Sequence, residues 1–111
     1  MATGDRTEKR LVGPVALTTS NATVGSAVGA SRQWTLKQVI LTNTNGVEAL
    51  VYLAIGTAAT ASNRVLSALP IASSDSIVWD TALVLDATEQ LYGYCDRTGV
   101  NITVVGWEKE L

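Results

Sequence analysis

An antiparallel all-β fold, a sandwich or barrel of about eight strands, is what this 111-residue sequence predicts. Three observations lead there. From Leu11 onward, short runs rich in Val, Ile, Leu and Thr recur at spacings of roughly 8 to 12 residues, separated by Gly, Asn, Asp and Ser clusters. Within most runs the apolar residues alternate, the period of a half-buried strand. The length suits one domain with one core, able to bury about two-thirds of the surface its unfolded chain exposes.

Residues 1–10 stand apart, because Asp5, Arg6, Glu8, Lys9 and Arg10 have no apolar partner there, and they read as a flexible N-terminal arm before a folded domain over 11–111. The first run, LVGPVALTT, puts Leu11, Val15 and Leu17 on one face. Pro14 cannot donate to a ladder, so this is an edge strand or contains a bulge. ATVGSAVGA alternates through Val24 and Val28, but its glycines leave it frayed. RQWTLKQVILTN places Trp34 and Leu36 on one face and then runs Val39, Ile40 and Leu41 together. That break in period two requires either a bulge or cover on both faces. In VEALVYLAI, residues Val47, Ala49, Val51, Leu53 and Ile55 share a side. Asn45-Gly46 before it favours positive φ and predicts a hairpin from the third run to the fourth, with a loop of up to about five residues.

TAATASN then opens a loop or a short helix. The following RVLSAL has helix-forming residues, but Val65, Ser67, Leu69 and Ile71 alternate and Pro70 closes the segment, which favours a strand. After SSDS, IVWDTALVL sets Ile77, Trp79, Leu83 and Leu85 on one face. DATE is the next turn. QLYGYC and VNITVVGWE complete the domain, joined by Asp96-Arg97-Thr98-Gly99, whose glycine supplies the positive φ such turns use. In the last run Val100, Ile102 and Val104 face inward, and Asn101, Thr103, Val105 and Trp107 face out.

Composition narrows the function. Charged residues make up only 16% of the chain against the usual ~25%, so its surface must be rich in Thr, Ser, Asn, Gly and Ala, a skin suited to standing against neighbours or to a lectin-like module. A formal charge of −2 supplies no field for nucleic acid or an anionic membrane, and no apolar run approaches the ~20 residues of a spanning helix. MATGDRTEKR is polar and charged, without a secretory apolar segment after it, and predicts cytosolic synthesis without export. Cys95 is the single cysteine, which fits a reducing compartment.

There is no histidine, so the common general base and the histidine-activated nucleophiles are missing. Paired carboxylates could still do acid–base work. Asp75, Asp86, Glu89 and Asp96 fall in turns, however, where short acids bond local backbone; Asp80 alone lies mid-strand. Cys95 reads as a small buried hydrophobe. No glycine-rich phosphate loop and no calcium loop occurs, and the sequence predicts no catalytic residue, cofactor or metal. Trp34 and Trp79 share faces with Leu and Ile and read as core. Trp107, opposite the inward face of its strand, is the aromatic best placed for an interface.

The succession VILTNTNG, LVYLAIGTAA, NRVLSALPIASSDSIVWDTALVLDATEQLYGY and VNITVVGWE resembles a group of small virion proteins of tailed bacteriophages, over about residues 11 to 108. The resemblance implies an eight-stranded jelly-roll or related sandwich, a virion location after synthesis in the host cytoplasm, a homo-oligomer and no catalytic residues. Capsid decoration (cement), neck and tail positions are all open to such a protein. Lys37 is the only lysine between Lys9 and Lys109, and sheets so thinly charged are expected to pack with copies of themselves, here as a trimer, and with the major capsid protein or other virion proteins. The expected contacts are Arg6, Lys9 and Arg10 in the arm and Trp107 in the body. The rival expectation is a carbohydrate-binding sandwich with Trp107, Tyr92 and Tyr94 on one exposed concave face.

Overall fold

The structure is a computed structural model that describes residues 6–20, 22–56 and 64–111. Among them are eight strands: β1 (Arg6–Ala16), β2 (Ala22–Thr23), β3 (Arg32–Asn43), β4 (Ala49–Gly56), β5 (Arg64–Ile71), β6 (Ser76–Leu85), β7 (Gln90–Cys95) and β8 (Val100–Glu110). They form two four-stranded antiparallel sheets, ordered β1-β8-β3-β6 and β2-β7-β4-β5. The pairings β1·β8, β2·β7, β3·β6 and β4·β5 are nested, as in one long hairpin rolled on itself, and the further pairs β3·β8 and β4·β7 close each sheet. That is the strand order of a jelly roll, and the all-β sandwich expected from the sequence is what the chain forms.

Between the sheets lies one core. Trp34, Leu36, Val39, Leu41, Leu85, Ile102 and Val104 of the first sheet meet Val51, Leu53, Ile71, Leu91 and Cys95 of the second, all buried. Asn43 is the one buried polar side chain among the described residues, and its bonds are complete. Its Nδ2 donates to the carbonyls of Val47 (2.9 Å) and Ile71 (3.1 Å), and its Oδ1 accepts from the Asn45 amide at 2.9 Å. A buried amide so placed satisfies backbone groups that no sheet reaches.

Several sequence expectations are corrected. The flexible arm over 1–10 does not extend through Arg6–Arg10, which are the first half of β1 and pair with β8 from Arg6↔Lys109 to Arg10↔Val105; residues 1–5 lie outside the described residues. Charged side chains hid this strand from any apolar periodicity. In the same strand Val12 is buried and Leu11 packs on the core, but Val15 is exposed, because register shifts on either side of Val12 switch faces. The Asn45-Gly46 hairpin does not form. β3 and β4 belong to different sheets, neither Asn45 nor Gly46 has positive φ, and the segment is a corner tied down by Asn43 and by Thr44 N–H to Gly99 O at 2.8 Å. Gly99 does carry the positive φ expected of it, at 98°.

β5 is a strand, as alternation suggested, but Ala68 at φ 52° interrupts the pattern and leaves Ser67 exposed and Leu66 packed on the core. The preceding TAATASN loop or helix lies outside the described residues. β2 is reduced to two residues, yet the run beyond it stays on β7 through Val24 N–H to Leu91 O and Val28 N–H to Glu89 O.

The broken period in β3 has a definite cause. A bulge between Leu36 and Gln38 appears in its pairing with both β6 and β8, so Trp34 and Leu36 face inward before it, and Val39 and Leu41 after it. Lys37 is the extra residue against β8, whereas against β6 the extra residue is on β6, where Thr81 and Ala82 face Lys37 alone. Opposite it, a Cβ on Gly106 would stand 2.0 Å from Thr35 O, so only glycine fits where β8 passes the bulge.

Candidate interaction surface

The outer face of the first sheet follows from strand parity. Successive residues point to opposite faces, so the strand that buries Val100, Ile102 and Val104 turns Asn101, Thr103, Val105 and Trp107 outward. Ile40 stands opposite Val78 on β6 and Thr103 on β8. Val78 is 53% exposed and Val84 46%. The middle of this face is thus β-branched and uncharged, with Asp80 at one side holding an amide hydrogen bond from Gln38 Nε2 at 3.0 Å.

At the upper end of this face Trp107 lies between cations from the two strands flanking β8. The Arg6 guanidinium is 5.6 Å from the indole ring centroid, and Lys37 Nζ is 5.4 Å from it. Glu8 completes the group, its Oε1 3.7 Å from Lys37 Nζ, so β1 and β3 join hands across β8. Each cation–π contact at a partly exposed site contributes about 0.5–1 kcal/mol. Lys37 and Glu8 are the members of this cluster that sequence reasoning missed. The signal for Lys37 was the broken alternation after Leu36, which marks a bulge without locating it.

One residue further, parity reverses. Glu108 turns inward and gathers Trp34 Nε1 (2.9 Å), Arg32 (3.0 Å) and Lys9 Nζ (3.4 Å). The indole hydrogen bond, more than the two cations, holds its carboxyl below the usual carboxylate range, against the opposing effect of burial. Of the four residues expected at an interface, then, Arg6 and Trp107 meet on the outer face, Lys9 is tied to Glu108 on the inner one, and Arg10 is exposed on the outer face opposite Val105.

The second sheet presents different chemistry. Tyr52 and Tyr94, directly paired on β4 and β7, stack at 4.5 Å with 8° between ring planes, and Arg64 lies 4.9 Å from the Tyr52 ring and donates to Tyr94 Oη at 3.1 Å. Tyr92 and Tyr94 project from the outer side of this sheet, while Trp107 projects from the outer side of the other. The single concave platform of Trp107, Tyr92 and Tyr94 is therefore overturned: the whole core separates them.

The acids lie where turn chemistry puts them. Asp75 accepts from the Ser76 amide, Glu89 from the Asp86 amide and Asp96 from the Leu50 amide. Cys95 is fully buried, and burial pushes its thiol up. Among the described residues no three acidic, Cys or His side chains gather as metal ligands, and no helix is long and apolar enough to cross a membrane. A pocket between β1, β2 and β7, lined by residues such as Leu17, Val24 and Gly93, holds about 20 Å³, far below the ~300 Å³ at which small-molecule sites begin.

No protein-family model matches the chain, and no curated protein matches it. Among solved structures it is similar to a chain in the structure of infectious bursal disease virus, Gt strain, with a TM-score of 0.35 and 11% identity, over 96% of this chain and 30% of that one.

Proposed function

We propose that this protein is a non-enzymatic structural component of a tailed-phage particle, a capsid decoration protein that self-associates as a trimer and stabilises the shell by burying surface against it. The outer face of the first sheet carries this reading: Ile40, Val78, Thr103 and Val105 form a β-branched patch, with Val84 beyond Asp80 and Trp107 set between two cations at one end. Large apolar surfaces on soluble proteins mark contact sites, and a preset aromatic loses little side-chain freedom on docking. The resemblance of the strand and turn sequence to small phage virion proteins supports the same reading, as does the engagement of the turn acids with backbone.

Purified particles of the virus that encodes this chain should contain it in many copies per particle, and particles lacking it should release their DNA at a lower temperature. Labelling confined to the neck or tail would move the protein there. Absence from the particle would overturn the proposal.

A further inference from the structure

Most cations of the chain have partners within it. Lys9 and Arg32 reach Glu108, Lys37 reaches Glu8, Arg64 donates to Tyr94 Oη, and Arg97 Nε donates to the Glu48 carbonyl at 2.9 Å. Arg6, Arg10 and Lys109 belong to no ion pair among the described residues, and all three point outward at one end of the first sheet. Eight Lys and Arg stand against ten Asp and Glu, so this gathering does not follow from a surplus of base. Arg6 and Arg10 are exposed, and Lys109 is half-buried.

Arg6 is paired directly with Lys109 across β1 and β8. Like charges placed opposite one another in a ladder are unfavourable, and no acid of the described residues relieves this pair. Glu108 and Glu110, beside Lys109 in sequence, turn to the other face, and Glu8, two residues along β1, is paired with Lys37. Arg10 lies four residues from Arg6 without a register shift, about 13 Å away at the rise of an extended strand. Midway between them Trp107 stands opposite Glu8. The row from Arg10 runs through Val105 and Gln38 to Asp80, three strands off and roughly 14 Å away, too far to neutralise it.

We propose that this cationic end of the first sheet binds an acidic segment of the shell protein, one carboxylate set between Arg6 and Lys109, a second against Arg10, and an apolar side chain between them on Trp107. The inference rests on the reading of the chain as a shell component and names the chemistry of what it touches. In an extended segment residues i, i+2 and i+4 share a side, and i and i+4 stand about 13 Å apart, so acid-x-apolar-x-acid is the pattern that fits. A carboxylate arriving between Arg6 and Lys109 replaces their repulsion with charge-assisted hydrogen bonds. The indole is already set between Arg6 and Lys37. Nucleic acid fits worse: a continuous run of phosphates would meet Glu8 among the cations and Asp80 across the sheet, on a chain of net charge −2.

Co-sedimentation of the whole chain with particles that lack it tests this. Binding should weaken at least about ten-fold between roughly 50 mM and 500 mM NaCl. At the lower salt Arg10→Glu and Lys109→Glu should each weaken it at least about ten-fold, and Arg97→Glu, the same charge change in the turn before β8, should leave it unchanged. Lys109→Glu sets an acid opposite Arg6, so its urea midpoint should equal or exceed that of the wild type, which separates lost binding from lost folding. If Arg10→Glu does not fold, Arg10→Gln takes its place. Binding indifferent to salt and to both substitutions overturns the acidic-segment contact and leaves the shell reading standing. Equal or tighter binding to a short DNA duplex, lost in the same variants, overturns it in favour of a polyanion surface. A wild type that sediments with the particles at no salt concentration removes both the contact and the shell reading.

Discussion

The two outermost strands of the first sheet are made of different materials. β1 is charged and bulged, and its side chains are tied back into its own sheet: Arg6 over Trp107, Glu8 to Lys37, Lys9 to Glu108. β6 alternates without interruption from Ser76 to Leu85, shows Val78 and Val84 to solvent, and has aspartates before it, within it and after it. The difference teaches that an edge strand can be fixed in two ways. β1 is held by charged side chains folded back over both faces of the sheet. β6 is held by side-chain amides of the strand beside it, Gln38 donating to Asp80 at 3.0 Å and Gln33 to Asp86 at 2.9 Å.

Substitutions that disturb the two edges unequally sharpen this contrast. The largest effect is expected where the rows joining them pass the β3 bulge. Gly106→Ala would push a methyl group into Thr35 O and should cost about 2–3 kcal/mol, read as a lower urea midpoint with unchanged slope. Next comes Asn43→Ala. The Asn43 amide holds Ile71 O and Ala72 O just ahead of β6, and the Asn43 N–H donates to Asp75 O at 2.8 Å. Removing the side chain leaves buried carbonyls unpaired and should cost about 2 kcal/mol. Amide exchange should accelerate at the start of β6 and stay unchanged in the first half of β1.

Glu108→Gln acts on the other edge and should cost about 1 kcal/mol at neutral pH, the cations around it being half-exposed. The pH dependence has a definite sign. The folded carboxyl titrates below its unfolded value, so its contribution is complete above the ordinary carboxylate range and disappears as pH falls through that range to the folded value. The stability gap between wild type and Glu108→Gln should therefore be full at pH 7 and narrow steadily in acid. Trp107→Ala should have no larger an effect on stability, about 1 kcal/mol at the low, exposed-site value of about 0.5 kcal/mol for each of its two cation contacts. Its larger consequence should be weaker binding to the particle, measured by co-sedimentation.

Much of this was readable from residues alone, and the boundary is physical. Six of the eight strands could be placed closely because one face of each is buried, which writes period two into the sequence; β6, with Ile77, Trp79, Leu83 and Leu85 inward, is the clearest. Trp107 was assigned outward by the same parity. Pairing partners were not legible. Asn45-Gly46 is a local cue for a hairpin, and nothing local reveals that β3 and β4 lie in different sheets, with Asn43 holding the corner between them. The first half of β1 escaped because its outward side chains are charged and its inward Lys9 is neutralised by Glu108, ninety-nine positions away in the chain. The rows linking Arg10 to Asp80 needed the register, which bulges at Lys37 and around Val12 fix and no periodicity can count through.

The most direct test of the outer face of the first sheet as a contact surface is co-sedimentation of the wild type and Trp107→Ala with particles that lack the protein. The wild type should sediment with the particles and Trp107→Ala should stay largely in the supernatant; equal sedimentation of the two would contradict the account.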